Sequence, residues 1–578
     1  MTTDSPVKMT HRQVLEALTG LLLGMFVSMI ATTVVSTSMP VIVHDLGGDQ
    51  AAYTWVITAT LLTTAISTPI WGKLADLFNR KLLIQIAIVI FVGATAAAGF
   101  AQDTNTLIAF RAIQGIGGGG LAALSQVIMA DIISPRERGR YMGLFGAVMA
   151  VATVGGPLLG GWITDVANWR WNFFVALPFA VAALIILQKT LHISTERTRK
   201  VSIDYVGIVL LSAAVSLILI WITNAGSTFD WWSTETVLMV GGAIVSAIAF
   251  IIVELKVREP LIPLTLFRGR TFTLSVLASI SIGVAMFGTS VYLAQYMQLS
   301  RGATPTEAGL MTLPMMAGLL ISSMVIGQLV TRFGKWKGYL ILGSVLLIAG
   351  SVMLSTLHYD TNFALVSIYM FVMGAGVGMT MQNLVLIVQN VAKPSEMGVA
   401  SSGVTFFRSL GGTVGVSVMG AVLANSLTSL FSDGKERIGA AIAQLGDKGA
   451  DVAAQLSSGT LPEVRLLPEP VRSIIEDFYA QAISHAFLIG IPLAVISLIA
   501  ILFLPNRPLT TMTTSERAQA DAAKADSAAD DDATPVDDAA DVAIADATAL
   551  SGAPTTGTVT VAGRTRDAHD DTAADAGR

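Results

Sequence analysis

Two arginines of this sequence lie inside long apolar stretches, where a charge is unusual. Arg111 stands in LIAFRAIQGIGGGG with Gln114 one helical turn away, and Arg408 stands in FFRSLGGTVG. A charged side chain inside a membrane helix is costly unless it is paired or hydrated, so both arginines are candidates for a transport or gating role. The alternatives are that Arg111 reaches the external end of its helix and that Arg408 only anchors helices.

A basic loop contains a second charged pattern. In GKLADLFNRK, residues 72–81, Asp76 precedes Arg80 by four residues. An acid and a base at a helix end can hold a neighbouring helix and release it when two halves of a protein rock apart. The sequence therefore predicts a gating pair here, and a solvated basic loop is the alternative.

Few acidic side chains are placed to carry a proton through an apolar environment. Proton-coupled transport needs an ionisable group whose protonation changes between states. No carboxylate lies deep in an apolar stretch of the sequence, and the nearest candidates stand at the ends of such stretches. These proton-coupling candidates are Asp131, Asp165 and Glu307.

The stretch GAVMAVATVGGPLLGG, residues 146–161, combines an apolar character with helix-breaking residues. It contains Gly155, Gly156 and Pro157. In a soluble helix an internal Gly costs about 1 kcal/mol and Pro about 3 kcal/mol. Membrane helices tolerate both residues, and small side chains let a second helix approach closely. The stretch predicts a kinked, tightly packed membrane helix that could serve as a hinge, and packing alone is the alternative.

The composition indicates that membrane-spanning helices position these residues. The 578 residues are 53% hydrophobic and only 13% charged, whereas soluble domains carry about 25% charged residues. The chain is therefore predicted to be an all-α polytopic membrane protein. It has no cysteine, which excludes disulfides and thiolate metal sites, and it has no phosphate-binding glycine loop or catalytic constellation. We therefore expect neither an enzyme nor an ATP-driven pump, and no cofactor or bound metal.

Fourteen apolar segments are long enough to cross a bilayer, which takes about 20 residues. The predicted spans are 17–40, 52–71, 82–101, 106–130, 141–163, 172–190, 203–223, 236–255, 272–295, 307–330, 338–357, 363–389, 399–425 and 481–504. Lys and Arg are concentrated in the loops that follow even-numbered spans, while the opposite short loops hold Arg170 and Arg301. Loops rich in Lys and Arg remain on the cytoplasmic side of a membrane, so both termini are predicted to be cytoplasmic.

Three of these stretches together resemble known signatures. The 72–81 loop resembles the cytoplasmic signature of the major facilitator superfamily, with Asn79 where a Gly is usual. The 107–120 stretch resembles the fourth-helix arginine signature of that superfamily. GGPLLGG at 155–161 resembles the fifth-helix antiporter signature of its drug exporters.

Further features narrow the resemblance. With fourteen spans, WRWNFF at 169–174 and PLIPLTLFRGRTF at 260–272, residues 15–504 resemble the fourteen-helix drug:proton antiporter family of bacterial multidrug exporters. That family implies two six-helix bundles, with two further helices inserted between them. The domains expected on this basis are a cytoplasmic N-terminus (1–16), an N-terminal bundle (17–190), the inserted helices with linkers (191–271), a C-terminal bundle (272–504) with an external loop (426–480) that contains helical segments, and a disordered acidic cytoplasmic tail (505–578).

The resemblance implies export of lipophilic drugs by alternating access, coupled to protons. Ala31 stands where the first helix of the family usually carries an Asp, so the sequence does not identify the proton carrier. Met-rich surfaces can adapt to varied ligands, and packing is the alternative for each predicted cavity residue. The cavity candidates are Met25, Met29, Gln126, Met286, Tyr292, Gln295, Met379 and Gln382.

Two other functions stay open at this point. The chain could export one metabolite, such as an amino acid, a siderophore or a self-made antibiotic, or it could be a non-transporting sensor built on a transporter fold. The expected partners are small lipophilic substrates, protons and the lipid bilayer of a bacterial cytoplasmic membrane, with no nucleic acid, and the protein is expected to be monomeric. Antibiotic resistance is the phenotype expected of such an exporter.

Overall fold

The computed structural model describes most of the residues that precede the acidic tail. The described residues are 11–47, 50–133, 141, 148, 151–152, 155–156, 159–160, 162–164, 166–191, 204–224, 229–257, 260–303, 305–446, 449–457, 464, 467–512, 516 and 520. The chain divides into two units, 1–518 and 519–578, and residue 520 is the one described residue of the second unit. The predicted disorder of the tail beyond residue 520 therefore concerns residues outside this description.

The described part of the chain is helical and contains no strand. In chain order its first helices are α1 (His11–Asp45), α2 (Gln50–Leu77), α3 (Arg80–Ala98), α4 (Thr104–Ile132), α5 (Ala176–Thr190), α6 (Tyr205–Asn224) and α7 (Thr234–Glu254). The later helices are α8 (Arg270–Gln295), α9 (Pro305–Met311), α10 (Leu313–Phe333), α11 (Lys337–Leu354), α12 (Phe363–Val391), α13 (Met397–Asp433), α14 (Lys435–Ala443), α15 (Gly449–Ser457), α16 (Val471–Phe487) and α17 (Gly490–Phe503).

Twelve helical segments in the described part of the chain are long and apolar enough to cross a membrane. They correspond to all the predicted spans except the second and the fifth. The 28-residue helix α2 covers the predicted second span, and much of the predicted fifth span lies outside the described residues. The prediction of an all-α polytopic membrane protein is confirmed.

The helices bury two large apolar cores. One core contains residues between Val14 and Leu191, and the other contains residues between Ala278 and Leu509. Within the first core, α4 presents Gly115 and Gly119 to α2. A Cβ at Gly119 would collide with Ser67 and with the backbone of α2, so only a glycine permits this distance between the two helices. The core thereby fixes the helix that carries Arg111.

We call α1–α5 the N-terminal half and α8–α17 the C-terminal half. The inserted helices α6 and α7 pack on each other and lie beside the contact between these two halves. Leu211 and Val215 of α6 belong to one apolar cluster with Ile66 of α2 and Phe406 of α13. Phe250 of α7 completes this cluster from the outer side of α6. Because α2 and α13 come from different halves, α6 contacts both halves at once.

The predicted external loop, residues 426–480, is largely helical where it is described. Helix α13 runs on to Asp433, and the short helices α14 and α15 follow. Ala441 and Val452 pack with Val471 and Ile475, so the two short helices cover the start of α16. The last predicted span consists of two helices, α16 and α17, with a break at Leu488–Ile489.

The first residues of the predicted tail contact the second core. The indole N–H of Trp336 donates to the backbone oxygen of Arg507 over 2.8 Å. The Asn390 side chain donates to Pro508 and accepts from the backbone N–H of Thr510. Leu509 is buried against the same core, so residues 507–510 belong structurally to the helical part of the protein.

Candidate functional site

Asp76 joins the two halves of the molecule at the predicted cytoplasmic end. Its carboxylate lies in the last turn of α2 and accepts the backbone N–H of Gly398 over 2.7 Å and of Val399 over 3.0 Å. Both amides belong to the first turn of α13, where N–H groups have no partner within the helix. The preceding residue, Glu396, makes no capping bond with its side chain. Asp76 therefore caps a helix of the opposite half, where its negative charge also suits the positive end of the helix dipole.

Arg80 and Asp131 complete this contact from the side of the N-terminal half. The guanidinium of Arg80 forms an ion pair with Asp131 in the last turn of α4. Its Nη2 atom lies 3.7 Å from Asp76, and its Nε donates to the backbone oxygen of Ala75 over 2.9 Å. Asp131, which the sequence suggests as a proton carrier, is thus placed beside the predicted gating pair. We call Asp76, Arg80 and Asp131, with the backbone of Gly398 and Val399, the Asp76 clamp.

Two glycines bring the helices of the clamp close enough for these bonds. A Cβ at Gly72 would collide with the side chain of Ser402. A Cβ at Gly398 would collide with the backbone oxygen of Gly72. A larger side chain at either position would push α2 and α13 apart and lengthen the bonds to Asp76.

Asn79, which replaces the usual glycine of the loop signature, has a local role. Its side chain accepts the backbone N–H groups of Lys81 and Leu82, at 2.9 and 3.2 Å. It therefore caps the start of α3, where asparagine is among the preferred residues. This capping fixes the helix whose first residue is Arg80.

A set of amides forms a second contact between the halves. The Gln126 side chain on α4 donates to the Gln382 side chain on α12 over 3.2 Å. Gln389, also on α12, donates to the backbone oxygen of Gln126 and, over 2.7 Å, to the hydroxyl of Ser401. The structure thus brings together two predicted cavity residues, Gln126 and Gln382, in a direct bond across the interface.

Gln389 and Ser401 were not among the predicted site residues. Gln389 follows Gln382 by seven residues, which places both on the same face of a helix. That spacing is a signal that could have identified Gln389. Ser401 gives no comparable signal, because its partner lies on a different helix.

Arg111 is buried within the N-terminal half in a chain of polar contacts. Its Nη1 donates to Gln114 over 2.7 Å, and the Gln114 amide donates to the hydroxyl of Thr95 on α3 over 2.8 Å. The Nε atom of Arg111 is buried and has no hydrogen-bond partner within the described residues. The structure therefore places Arg111 and Gln114 together and leaves part of the guanidinium available for a further acceptor.

Arg408 lies in the C-terminal half, apart from the Arg111 chain. Its guanidinium donates to the backbone oxygen of Met381 over 3.2 Å and to the hydroxyl of Thr405 over 3.4 Å. A Cβ at Gly283 of α8 would collide with the backbone oxygen of Arg408. Arg408 thus connects α13 to α12 at a point where α8 packs closely against α13.

Two glycines of the glycine- and proline-containing stretch face α1. A Cβ at Gly156 would collide with the Thr33 side chain, and a Cβ at Gly160 would collide with the backbone of Val34. The Thr33 hydroxyl donates to the backbone oxygen of Ala152 over 3.0 Å. Gly155 faces open space. Pro157 and Asp165 lie outside the described residues.

The remaining predicted residues occupy several environments. The Tyr292 hydroxyl donates to the backbone oxygen of Val416 over 2.5 Å, so it connects α8 to α13. The side-chain oxygen of Gln295 is buried without a hydrogen-bond partner in the described structure. Glu307 is exposed on the short helix α9. The methionines are partly buried against the two cores: Met25 and Met29 against the first, Met286 and Met379 against the second.

The two halves meet through a capping aspartate, and each half is built on its own apolar core. The Major Facilitator Superfamily profile matches residues 21–416. The chain belongs to the major facilitator superfamily. It is therefore a multi-pass membrane transporter and not an enzyme, as the sequence predicts.

Relatives within the superfamily indicate the type of transporter. The chain is 36% identical over 416 residues to Multidrug transporter protein MdtP of Bacillus subtilis, which covers 72% of this chain and 76% of that protein. It is 32% identical over 497 residues to Multidrug resistance protein 3 of the same organism, covering 85% and 95% of the two chains. The predicted resemblance to multidrug exporters of this superfamily is confirmed.

Solved structures support the fold independently. The crystal structure of the human organic anion transporter MFSD10 matches with a TM-score of 0.55 at 13% identity, covering 83% of this chain and 99% of that one. At this identity the likeness concerns the fold alone. The major facilitator fold is confirmed.

Proposed function

We propose that this transporter exports lipophilic compounds in exchange for protons, by alternating access. The observation that carries the proposal is the Asp76 clamp, in which a carboxylate of one half caps a helix of the other. Such a contact can form and break as a unit, because it consists of two backbone bonds and one ion-pair partner. The clamp would close the cytoplasmic end of the path in one state and open in the other.

The location of the contacts between the halves supports this cycle. The clamp and the bond between Gln126 and Gln382 both use the predicted cytoplasmic ends of their helices. The conformation described here would then be the one closed toward the cytoplasm. Release of a compound to the outside is the step that this state serves in an exporter.

Lipophilic substrates are proposed from the relatives and from the residues. Two relatives are named for multidrug transport or resistance. Methionines with partly buried side chains stand at Met25, Met29, Met286 and Met379, and such side chains repack around ligands of different shape. Protons are proposed as the coupling ion, with Asp131, Asp165 and Glu307 as candidates to carry them.

The decisive experiment is dye accumulation in cells. The chain is expressed in a bacterial host that lacks its main efflux pumps, and ethidium, rhodamine 6G and Hoechst 33342 are measured with and without a protonophore. We expect lower accumulation of at least two unrelated dyes, restored to the level of the empty vector by the protonophore. Extrusion of none of the dyes would contradict the proposal and favour a dedicated metabolite exporter or a sensor.

A second measurement addresses the proton carriers. Asp131, Asp165 and Glu307 are changed singly to the corresponding amide, and dye efflux driven by a pH gradient is measured in membrane vesicles. We expect at least one of these variants to lose uphill efflux. If all three variants retain it, none of these residues is the proton carrier.

A further inference from the structure

Two buried carboxylates meet at the predicted cytoplasmic ends of the inserted helices. Asp204 directly precedes α6 and is 8% exposed, and Glu254 ends α7 and is 4% exposed. A Cβ at Gly207 would collide with Oδ2 of Asp204 and lie 3.1 Å from Oε1 of Glu254. The two carboxylates therefore converge on the same point, and the absence of a side chain at Gly207 leaves the space between them open.

The hydrogen bonds of this pair leave one oxygen without a partner. Glu254 accepts the backbone N–H of Leu261 over 3.1 Å and of Ile262 over 3.4 Å. Oδ1 of Asp204 accepts the backbone N–H of Gly207 over 2.8 Å, which caps α6. Oδ2 of Asp204 is buried and has no hydrogen-bond partner within the described part of the chain. A proton on one of the two facing oxygens would provide the missing bond.

Two facing carboxylates in a poorly hydrated site do not both ionise readily, because like charges repel strongly where the dielectric constant is low. Sharing one proton removes most of that repulsion and gives the unpartnered oxygen a donor, as in other paired carboxyl groups. We propose that Asp204 and Glu254 together form a proton-binding site of the transport cycle. This inference rests on the proposed function as a proton-coupled exporter.

Lys73 connects this site to the Asp76 clamp. It lies on α2, is 9% exposed and is within electrostatic range of both Glu254 and Asp76. Helix α6, which Asp204 caps, also packs against α2 and α13, the two helices that the clamp joins. Lys73 is attracted by Glu254 and by Asp76. When the pair binds or loses a proton, its attraction for Lys73 changes. Lys73 then interacts more or less strongly with Asp76, and this affects the contact between the halves.

Three further ionisable side chains of the described neighbouring elements are exposed and are not buried with the pair. Tyr205 at the start of α6, Lys256 after α7 and Arg268 before α8 are all exposed. Lys73 is the buried cation that faces the pair within the described residues. Within the described residues, the proton affinity of Glu254 in this pair responds to its burial, to the backbone N–H groups that it accepts, to Asp204 and to Lys73.

The test is an infrared titration of the purified full-length protein in lipid bilayers. A protonated buried carboxyl group absorbs infrared light at a different frequency from an ionised one. The wild type is expected to lose the band of the protonated group as the pH is raised. Asp204→Asn keeps the cap of α6, since Asn caps a helix as well as Asp does. Glu254→Gln keeps an oxygen that can accept from the backbone N–H groups of Leu261 and Ile262. In Asp204→Asn the remaining acid, Glu254, has lost its charged neighbour, so the midpoint should fall by about one pH unit or more, and in Glu254→Gln the band should lose amplitude or disappear.

The matched control is Asp230→Asn, at the opposite end of the same inserted helices, where the side chain is exposed. It should leave the midpoint and the amplitude of the band unchanged. If both Asp204→Asn and Glu254→Gln also leave them unchanged, the pair binds no proton and the inference is overturned. This measurement requires no transported compound, so it is decided separately from the proposed function.

Transport in reconstituted vesicles provides the second measurement. With ethidium as the probe, we expect the uptake driven by a pH gradient to be roughly tenfold lower in each amide variant than in the wild type. Exchange of ethidium at equal pH should be the same as in the wild type. Full gradient-driven uptake by both variants would overturn the inference. If the wild type itself moves no ethidium under a gradient, the proposed function fails, and the infrared result alone then decides whether the pair binds a proton.

Discussion

Asp76 shows how one side chain can carry the contact between two halves of a transporter. Its side chain is 3% exposed and satisfies two backbone amides that α13 cannot satisfy itself. A hydrogen bond to a charged group contributes about 1.5–3 kcal/mol, and a charge at a helix start adds about 0.3–1 kcal/mol. The closed state that we propose thus depends strongly on a single carboxylate.

Replacing Asp76 by Asn should weaken the closed state. The amide can accept only with its oxygen and has no charge, so we expect a loss of about 2 kcal/mol, which shifts the equilibrium between closed and open states roughly 30-fold. Spin labels on the ends of α2 and α13 would report a longer distance in pulsed paramagnetic resonance. Asp433→Asn, at the far end of α13, is the control. An unchanged distance in Asp76→Asn would show that the clamp does not hold the halves together.

Gln114 should be essential for the stability of the N-terminal half. Gln114→Leu would leave the buried guanidinium of Arg111 without its side-chain acceptor, which costs about 2–3 kcal/mol. Thermal unfolding in detergent should show a clearly lower midpoint than in the wild type. Gln102→Leu changes an exposed amide at the start of the same region and should leave the midpoint unchanged. Equal midpoints for the two variants would mean that Arg111 finds another acceptor.

At the scale of elements, the glycines of the predicted fifth span differ in their surroundings although they are adjacent in sequence. Gly156 lies against Thr33 of α1, while Gly155 faces open space. Only one of them is therefore needed for the close approach of the two helices. The antiporter-like stretch therefore contacts α1 through Gly156 and Gly160.

Gly156→Ala and Gly155→Ala form a matched pair of variants. We expect Gly156→Ala to displace the helix from α1 and to reduce dye efflux about tenfold, because its Cβ collides with the half-buried side chain of Thr33 and with the backbone of α1 lying close behind it. Gly155→Ala should retain efflux close to that of the wild type. Efflux in the two variants, normalised to the amount of protein in the membrane, makes the comparison. Equal loss in both would point to backbone flexibility, and not to packing, as the role of this stretch.

The sequence predicts elements far better than it predicts which elements meet. Apolar length alone locates the helices that span the membrane, since the bilayer imposes that length on each of them. The partners of Asp76 could not be predicted, because backbone amides have no sequence signature and lie more than 300 residues away. The convergence of Asp204 and Glu254 was equally hidden, since 50 residues separate two acids that each stand at the end of a span.

At the scale of the whole molecule, the hydrogen-bonded contacts between the halves that are described above combine one charged clamp with one set of amides. Gln126 and Gln382 are joined directly although 256 residues separate them. If the halves rock apart at this end during transport, this bond must break in every cycle. A covalent connection at the same place should therefore stop the cycle.

The absence of cysteine in the chain makes that test direct. Gln126→Cys combined with Gln382→Cys should be joined by a short reversible thiol crosslinker, and the crosslinked protein should lose dye efflux until a reductant is added. A protease site inserted between residues 192 and 203 allows the join to be seen on a denaturing gel. The two single variants are the controls. Complete crosslinking with full efflux would show that the halves do not separate at this point.

Helix α6 also determines how the molecule meets the surrounding lipid. Leu211 and Val215 occupy the seam between α2 and α13, together with Ile66 and Phe406. Acyl chains cannot occupy a seam that a protein helix already fills. A compound dissolved in the bilayer is therefore barred from sideways entry along this line.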